Sequence, residues 1–441
     1  MAASTRLGGI SVALANRNYR LYTIGAIPSL LGTWIQRMAV GWLAWELTGS
    51  GFWLGLVAFA DLAPTVVVAP IAGAFADRID RLKAVRFVQY ANMLQAFALA
   101  GFTLGGAMTI ELLVALALVQ GTIQGIHQPF RQSMIGSIVS RSEMTSAIGI
   151  NSTIWNTSRL IGPAISAAII LNFGVGFTFL VNALSFIPML VTLYMITVTP
   201  PPPGKKSLAA VPAEILEGIR YVSGHAFIGP LLVLVFAFSF FGRATAELLP
   251  GFTGAIFNFS ADGLAVLTGA AGLGSLISGF WLSRRGRLTG LAEILLVNIA
   301  LLAVFQVLFA WSDTLIGDAR RFIVPIPLTG LSFPATADLL MGALMITLWG
   351  FTLNGCGIIA QSLIQANVPD SIRGRVVSLY GMLWLGTPAV GAFAMGAASD
   401  LAGFRWPVFA GACAVVAIGL WGLTRIGRFR AEIAKMTGDG A

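Results

Sequence analysis

Long apolar runs separated by short polar segments repeat along the whole chain. Each run is about 20 residues or longer, which at about 1.5 Å per helical residue crosses a hydrocarbon core of about 30 Å. None of them alternates apolar and polar residues with a period of two, so the strands of a closed barrel do not fit. Lipid offers the backbone no partners, and a helix satisfies its own N–H and C=O groups. The pattern therefore predicts an all-α integral membrane protein with twelve transmembrane helices. The spans lie near 20–46, 53–75, 84–104, 109–128, 147–170, 175–198, 226–249, 263–283, 289–311, 338–362, 376–398 and 404–424.

With an even number of spans, both ends lie on one side. The loops and tails of that side carry 21 of the 27 Lys and Arg residues, whereas the opposite loops hold Arg320, Arg321 and Arg405. Basic residues are retained on the cytoplasmic side, so both termini are expected in the cytoplasm. Six spans (1–198) precede a connection at 199–225, and six follow it (226–424), with a cytoplasmic tail at 425–441. The connection opens with TPPPPGKK and continues into AEILEGIRYV, where Ile215, Ile219 and Val222 give one apolar face. A helix lying on the membrane surface is the expected form; a partner-binding face is the other reading.

Composition strengthens this picture: 57% of the residues are hydrophobic and 10% charged, against roughly a quarter charged in soluble domains. Mean hydropathy is +0.85. The net charge of +9 would suggest a nucleic-acid partner in a soluble protein. Here the basic residues sit in short loops, and no nucleic acid is expected. Cys356 and Cys413 lie far apart in apolar runs, and His127 and His225 lie on different segments. Neither pair has metal-ligand or disulfide spacing. No GxxxxGK[ST] loop is present, so ATP drive by this chain, a catalytic centre, a metal and a cofactor are not expected. Residues 1–19 lack an apolar core with a cleavage site, and the first span is expected to serve as its own insertion signal.

The two halves repeat. GAFADRIDRLK at 73–83 matches GFWLSRRGRLT at 279–289, an offset of 206. QSMIGSIVSRS at 132–142 matches QSLIQANVPDS at 361–371, an offset of 229. The extra 23 residues of the second half are assigned to an external insertion at 313–337. Paired halves joined by a linker form a transporter architecture with a site between the repeats near the midplane.

On these features the sequence resembles the Major Facilitator Superfamily over essentially its whole length. Gly73, Asp77, Arg78, Arg81 and Lys83 align with that family's signature loop, and Asp80 stands where the pattern usually has Gly. The resemblance implies a cytoplasmic gate, in which Gly73 permits close helix approach and the charges form a breakable network; a polar turn that only sets topology is the alternative. The runs WLAWELTGSGFWLGLV, PFRQSMIGSIV and VPDSIRGRVVSLYG are similar to the bacterial enterobactin-exporter and macrolide-efflux branch. Arg159, Gly162 and Pro163 resemble the antiporter motif in span 5, with Ser166 and Ala167 where two glycines are common. A Gly-Pro pair weakens local backbone bonding and supplies a bend, or simply a packing kink. The branch implies a monomeric exporter of amphiphilic small molecules, drug-like or siderophore-like, in the bacterial inner membrane, coupled to protons. Import of a metabolite and a non-transporting sensor or scaffold of the same fold are the alternatives, since fold does not fix direction or use.

Ionisable groups inside a span are costly unless paired or hydrated. Arg37 in span 1, Asp61 in span 2 and Arg159 in span 5 stand out. Arg37 and Asp61 are each 12 residues from the turn near residue 49, hence about 18 Å deep. They are candidates for a protonatable pair or for a static one that orders the hairpin. In span 7, Arg243 and Glu247 are spaced i and i+4, one turn apart on one helical face, and an interfacial pair is expected. Ala117 occupies the span-4 position where many proton antiporters of the superfamily carry Arg, three residues before Gln120-Gly121. Polar stripes run through Gln89, Asn92 and Gln95, through Gln120, Gln124 and His127, and through Asn151, Trp155 and Arg159. With Trp34, Asn182, Trp349, Asn354, Gln361 and Trp384 they are candidates for a solute cavity lined by aromatic and polar groups; interhelical hydrogen bonds and aromatic belts are the competing uses.

Overall fold

A computed structural model describes residues 8–75, 79–140, 142–197, 211–285, 290–315, 323–328, 331–425 and 427. A short helix α1 (Gly8–Ala15) leads into six long ones: α2 (Arg17–Thr48), α3 (Gly51–Phe75), α4 (Arg81–Leu104), α5 (Ile110–Ile138), α6 (Met144–Phe173) and α7 (Val175–Met195). The amphipathic α8 (Val211–Gly224) is followed by α9 (Ile228–Ile256), α10 (Ala261–Arg285) and α11 (Leu291–Ala310). After these come α12 (Ala337–Asn367), α13 (Asp370–Ala402) and α14 (Arg405–Leu423). Ten of the helices are long and apolar enough to span a membrane. Helices α2 and α4, at 32 and 24 residues, have the length but carry more polar side chains. Within the predicted insertion, Ile323–Leu328 (β1) and Leu331–Thr336 (β2) form an antiparallel hairpin with Leu328 opposite Leu331.

The chain divides into two compact units. Residues 1–43 and 64–208 form the first, and residues 44–63 and 209–441 the second. In the first unit, Tyr19, Tyr22 and Leu30 of α2, Val85 of α4, Phe130 and Met134 of α5, and Met189 and Leu193 of α7 build one apolar core. Asn16 breaks α1 from α2 because its side chain accepts from the backbone N–H groups of Asn18 and Tyr19 at 3.1 and 3.2 Å, which caps the new helix. Its amide also reaches the Ile138 carbonyl at 3.0 Å and thus ties α2 to the end of α5. Helix α5 runs ten residues past the predicted end at 128, through Pro129. Proline removes only one donor, and a polar helix end in water needs no hydropathy to persist.

In the second unit, α10 and α12 pack through glycine. A Cβ on Gly274 would lie 1.9 Å from the Thr347 carbonyl oxygen, and one on Gly350 would lie 2.3 Å from that of Ala271. Small residues let backbones approach where lipid gives apolar side chains no reason to segregate. Helix α9 departs from α geometry, with π turns at Phe238–Gly242 and Phe252–Ile256 and a 3-10 segment at Arg243–Leu248. Arg243 and Glu247 both lie in this 3-10 segment, whose turn contains three residues. Gln306 of α11 donates to the Phe241 carbonyl inside the π turn at 3.2 Å and to that of Val408 at 3.1 Å. Helix α8 rests on α13 through a Glu217–Arg375 ion pair, while Leu216 and Ile219 face outward.

The repeat has a three-dimensional counterpart within each unit. A Cβ on Gly73 would meet Pro129 at 3.9 Å, and one on Gly279 would meet Ile358 at 3.9 Å. The glycines are related by the 206-residue offset, and Pro129 and Ile358 by the 229-residue offset.

Candidate functional site

In the first unit the polar residues sort into two groups. The first is a chain of amides between helices. Gln36 donates to Gln95 at 3.1 Å, Asn182 donates to Gln36 at 2.7 Å, and Gln120 donates to Asn92 at 3.2 Å. Gln95 and Asn92 spend their own amide donors on the carbonyls of Leu116 and Val88. Asn92, Gln95 and Asn182 are buried. These predicted cavity residues thus knit α2, α4, α5 and α7 together, as satisfied polar groups do in a medium without water.

The second group is built around Trp34. The Arg37 and Arg159 guanidinium carbons lie 6.0 and 5.9 Å from its ring centroid, and Trp155 meets it edge-on at 5.5 Å. Cations at this distance are attracted by the ring quadrupole. Helix α6 comes close here because Gly162 has no side chain: a Cβ would sit 2.7 Å from that of Trp34. The hydroxyl of Ser166, one turn on, donates to the Ile35 carbonyl at 3.0 Å. Pro163, inside the continuous helix α6, has no N–H to give to the Arg159 carbonyl four residues earlier. Asn151 and Gln124 are half-buried, and so is Asp61, which belongs to the second unit.

The second unit has its own pairing of arginine with tryptophan. The Arg243 guanidinium carbon lies 5.0 Å from the Trp384 ring, and Arg243 also donates to the Trp384 carbonyl. Tyr380 stacks on Trp384 at 6.3 Å, and its hydroxyl donates to the Gly357 carbonyl at 2.9 Å. Asn354 donates to the Ser275 carbonyl at 2.8 Å. Trp349 is buried, and Gln361 is exposed. The role of Arg243 beside Trp384 has no sequence signal, because the irregular turn that aims it is invisible in residue spacing.

Of the predicted gate, Asp77 and Arg78 lie outside the described residues. Arg81 donates to the Ser133 carbonyl at 3.4 Å and to the Ser137 hydroxyl, and so joins α4 to α5. Asp80 caps α4 by accepting from the N–H groups of Leu82 and Lys83 at 3.0 and 3.2 Å. This gives a physical reason for an aspartate at that position. Lys83 is exposed, 4.0 Å from Asp80.

A contact that the sequence does not reveal joins the α2–α3 turn to α13 within the second unit. Asp400 accepts from the Ser50 hydroxyl and the Gly51 N–H, both at 2.6 Å, and from the Phe52 N–H at 3.3 Å. Next to it, Gly51 and Gly55 of α3 abut the Gly396 and Ala392 carbonyls of α13, while Trp45 packs on Gly254 and Phe404.

Half-buried arginines set against tryptophans inside a bundle of apolar helices suit passage of a solute better than covalent chemistry, and the comparisons agree. Residues 11–432 match the family described as transmembrane secretion effector. The chain belongs to this family of the Major Facilitator Superfamily. It is 25% identical to the staphyloferrin A transporter of Staphylococcus aureus over 85% of this chain and 87% of that one. It is 22% identical to the multidrug efflux pump Tap of Mycolicibacterium fortuitum over 87% and 90%. A crystal structure of the nucleoside transporter NupG shares the fold, with a TM-score of 0.66 at 13% identity, covering 93% of this chain and all of that one. The protein is a multi-pass membrane transporter of this superfamily and not an enzyme.

Proposed function

We propose that this transporter exports amphiphilic small molecules, drug-like or siderophore-like, from the bacterial cytoplasm by alternating access of its two six-helix halves. The observation that carries the reading is the pairing of arginine with tryptophan in each unit: Trp34 between Arg37 and Arg159, and Trp384 against Arg243. A flat aromatic face beside a delocalised cation takes up apolar rings and anionic or polar substituents without demanding one shape. The names of the relatives, a siderophore transporter and a multidrug pump, support the same solute class. In this reading the protein works as a monomer in the inner membrane with both termini inside. Gly73, Asp77, Arg78, Arg81 and Lys83 form the cytoplasmic gate, and Gly162 and Pro163 provide the bend that lets α6 swing.

Proton antiport supplies the energy, with Asp61 as the protonatable group and Arg37 and Arg159 as the charges that compensate it in turn. A carboxylate whose distance from an arginine changes during the cycle binds and releases a proton as it moves. The test is flux in vesicles of the purified protein with a panel of drugs and siderophores under pH gradients of either sign. Accumulation against the solute gradient under one sign of pH gradient is expected. If no compound moves under any gradient, the export reading fails; movement in the inward sense alone makes the protein an importer.

A further inference from the structure

Helices α4 and α7 lie side by side in the first unit, joined along Ala96, Ala183 and Phe186. Each turns an apolar stripe outward: Phe87 and Leu94 on α4, 69% and 70% exposed, and Ile187 and Val191 on α7. On a membrane span, exposed apolar rows of this kind meet acyl chains. Each stripe carries one tyrosine, Tyr90 three residues after Phe87 and Tyr194 three after Val191, and both rings are exposed. Their hydroxyls are 3.4 Å apart, with Tyr90 donating to Tyr194. A hydroxyl has one proton to give, so that of Tyr194 is left for an outside acceptor.

Arg86 brings the charge. Its guanidinium carbon lies over the Tyr194 ring, 4.3 Å from the centroid. Its Nε and Nη2 donate to the Leu193 carbonyl at 3.3 and 2.7 Å, in the last turn of α7, where carbonyls lack intrahelical partners. Stacking and capping together hold the side chain in one place. Nη1 has no partner among the described residues, and no carboxylate there pairs with this arginine. A half-buried cation set in an apolar face without a counter-ion is unfavourable. The cluster stands where α4 begins and α7 ends, on the side of the basic loops, so the lipid headgroup layer is what meets it. A phosphodiester there offers one oxygen to Nη1–H and another to the Tyr194 O–H, the geometry for which a guanidinium is suited. A choline has nothing to gain: no acid stands by for it, and the Tyr194 face is taken by Arg86.

We propose that Arg86, Tyr90 and Tyr194 form a site for the phosphate of an anionic phospholipid in the leaflet that faces the basic loops. The acyl chains of that lipid lie along the outward stripes of α4 and α7. The site is separate from the solute path and does not depend on which solute is carried.

The test is to titrate the delipidated full-length protein in detergent with phosphatidylglycerol or phosphatidylcholine and to count bound lipids by native mass spectrometry. The wild type is expected to hold one phosphatidylglycerol about tenfold more tightly than phosphatidylcholine, the worth of one charge-assisted hydrogen bond. Arg86→Gln is expected to lose that molecule. Arg284→Gln is the control, since Arg284 also lies over an exposed ring on the same side, 4.3 Å from that of Phe280, and is expected to keep it. Tyr90→Phe combined with Tyr194→Phe preserves both rings and the stacked arginine and is expected to weaken binding about threefold. No preference for phosphatidylglycerol in the wild type overturns the site, as does equal loss in Arg86→Gln and Arg284→Gln. If Arg86→Gln does not fold, the phenylalanine pair decides, and unchanged affinity in it overturns the site. Displacement of the lipid by millimolar inorganic phosphate would make free phosphate the ligand and overturn the lipid assignment.

Discussion

The Asp400 carboxylate caps a helix that is not its own: it accepts the Gly51 N–H at 2.6 Å and takes the Ser50 hydroxyl as well. The first turn of a helix has N–H groups without intrahelical partners, and a carboxylate there meets both the open donors and the positive end of the helix dipole. Helix α3 obtains this cap from α13. Asp400→Ala is expected to destabilise the protein by about 1 kcal/mol, the usual cost of removing a cap, and Asp400→Asn by less, because an amide oxygen still accepts. Thermal unfolding in detergent reads both, and equal melting of the alanine variant and wild type would deny the cap any weight.

Asp61 is half-buried within α3. Asp61→Asn is expected to retain solute binding and to abolish proton movement driven by solute, measured with a pH-sensitive dye inside vesicles. Proton movement that survives at wild-type rate removes Asp61 from the coupling.

The α10–α12 contact has no space for a methyl group at Gly274, whose Cβ would fall 1.9 Å from a carbonyl oxygen. Backbone atoms cannot swing aside as a side chain does, so Gly274→Ala is expected to cost about 1–3 kcal/mol, as overpacking does, and Gly274→Leu to prevent folding. Gly101 in α4 makes the contrast, because a Cβ there meets nothing within 4 Å. Alanine is the better helix former, so Gly101→Ala is expected to be neutral or slightly stabilising. Size-exclusion profiles and melting temperatures of Gly274→Ala and Gly101→Ala make the comparison, and equal melting of the two would contradict the tight crossing.

Glu143, in the turn between α5 and α6, accepts the Ser140 N–H at 2.8 Å and is approached by Asn16 at 3.4 Å. These bonds, the Ser140 backbone donor foremost, hold its carboxyl below the ordinary value of 4.5. A depressed folded-state value means that the contact contributes fully above the ordinary value and is lost as pH falls through the depressed one. The melting difference between wild type and Glu143→Gln is therefore expected to be largest near neutral pH and to close on acidification. A difference that grows with acid would reverse the assignment.

The membrane spans are legible in the sequence because lipid imposes length and polarity on them one residue at a time. Helix ends are less so. The residues His127, Gln128 and Pro129 look like punctuation and predict a stop at 128, yet α5 continues to Ile138, since backbone bonding carries on where hydropathy falls silent. The site divides in the same way. Spacing places Asn92 and Gln95 on one face of α4, but whether a face meets a cavity or another helix depends on neighbours brought in from α2, α5 and α7. Trp34 and Arg159 stand out as polar or aromatic groups in apolar runs. Asp400 looks like an ordinary loop acid just past a span, because the Gly51 N–H it serves lies 349 residues away in sequence.

The π turn at Phe238–Gly242 also has a genetic side. Such a turn is an α turn with one residue to spare, so shortening this segment by one residue leaves the flanking stretches of α9 where they are. Arg243 would keep its place over Trp384. The side chain affected would be on another helix: Gln306, whose amide serves the carbonyl that the wider turn exposes and would be left with the Val408 carbonyl alone. A deletion in α9 is thus expected to loosen the tie between α9 and α11 while α11 stays bonded to α14.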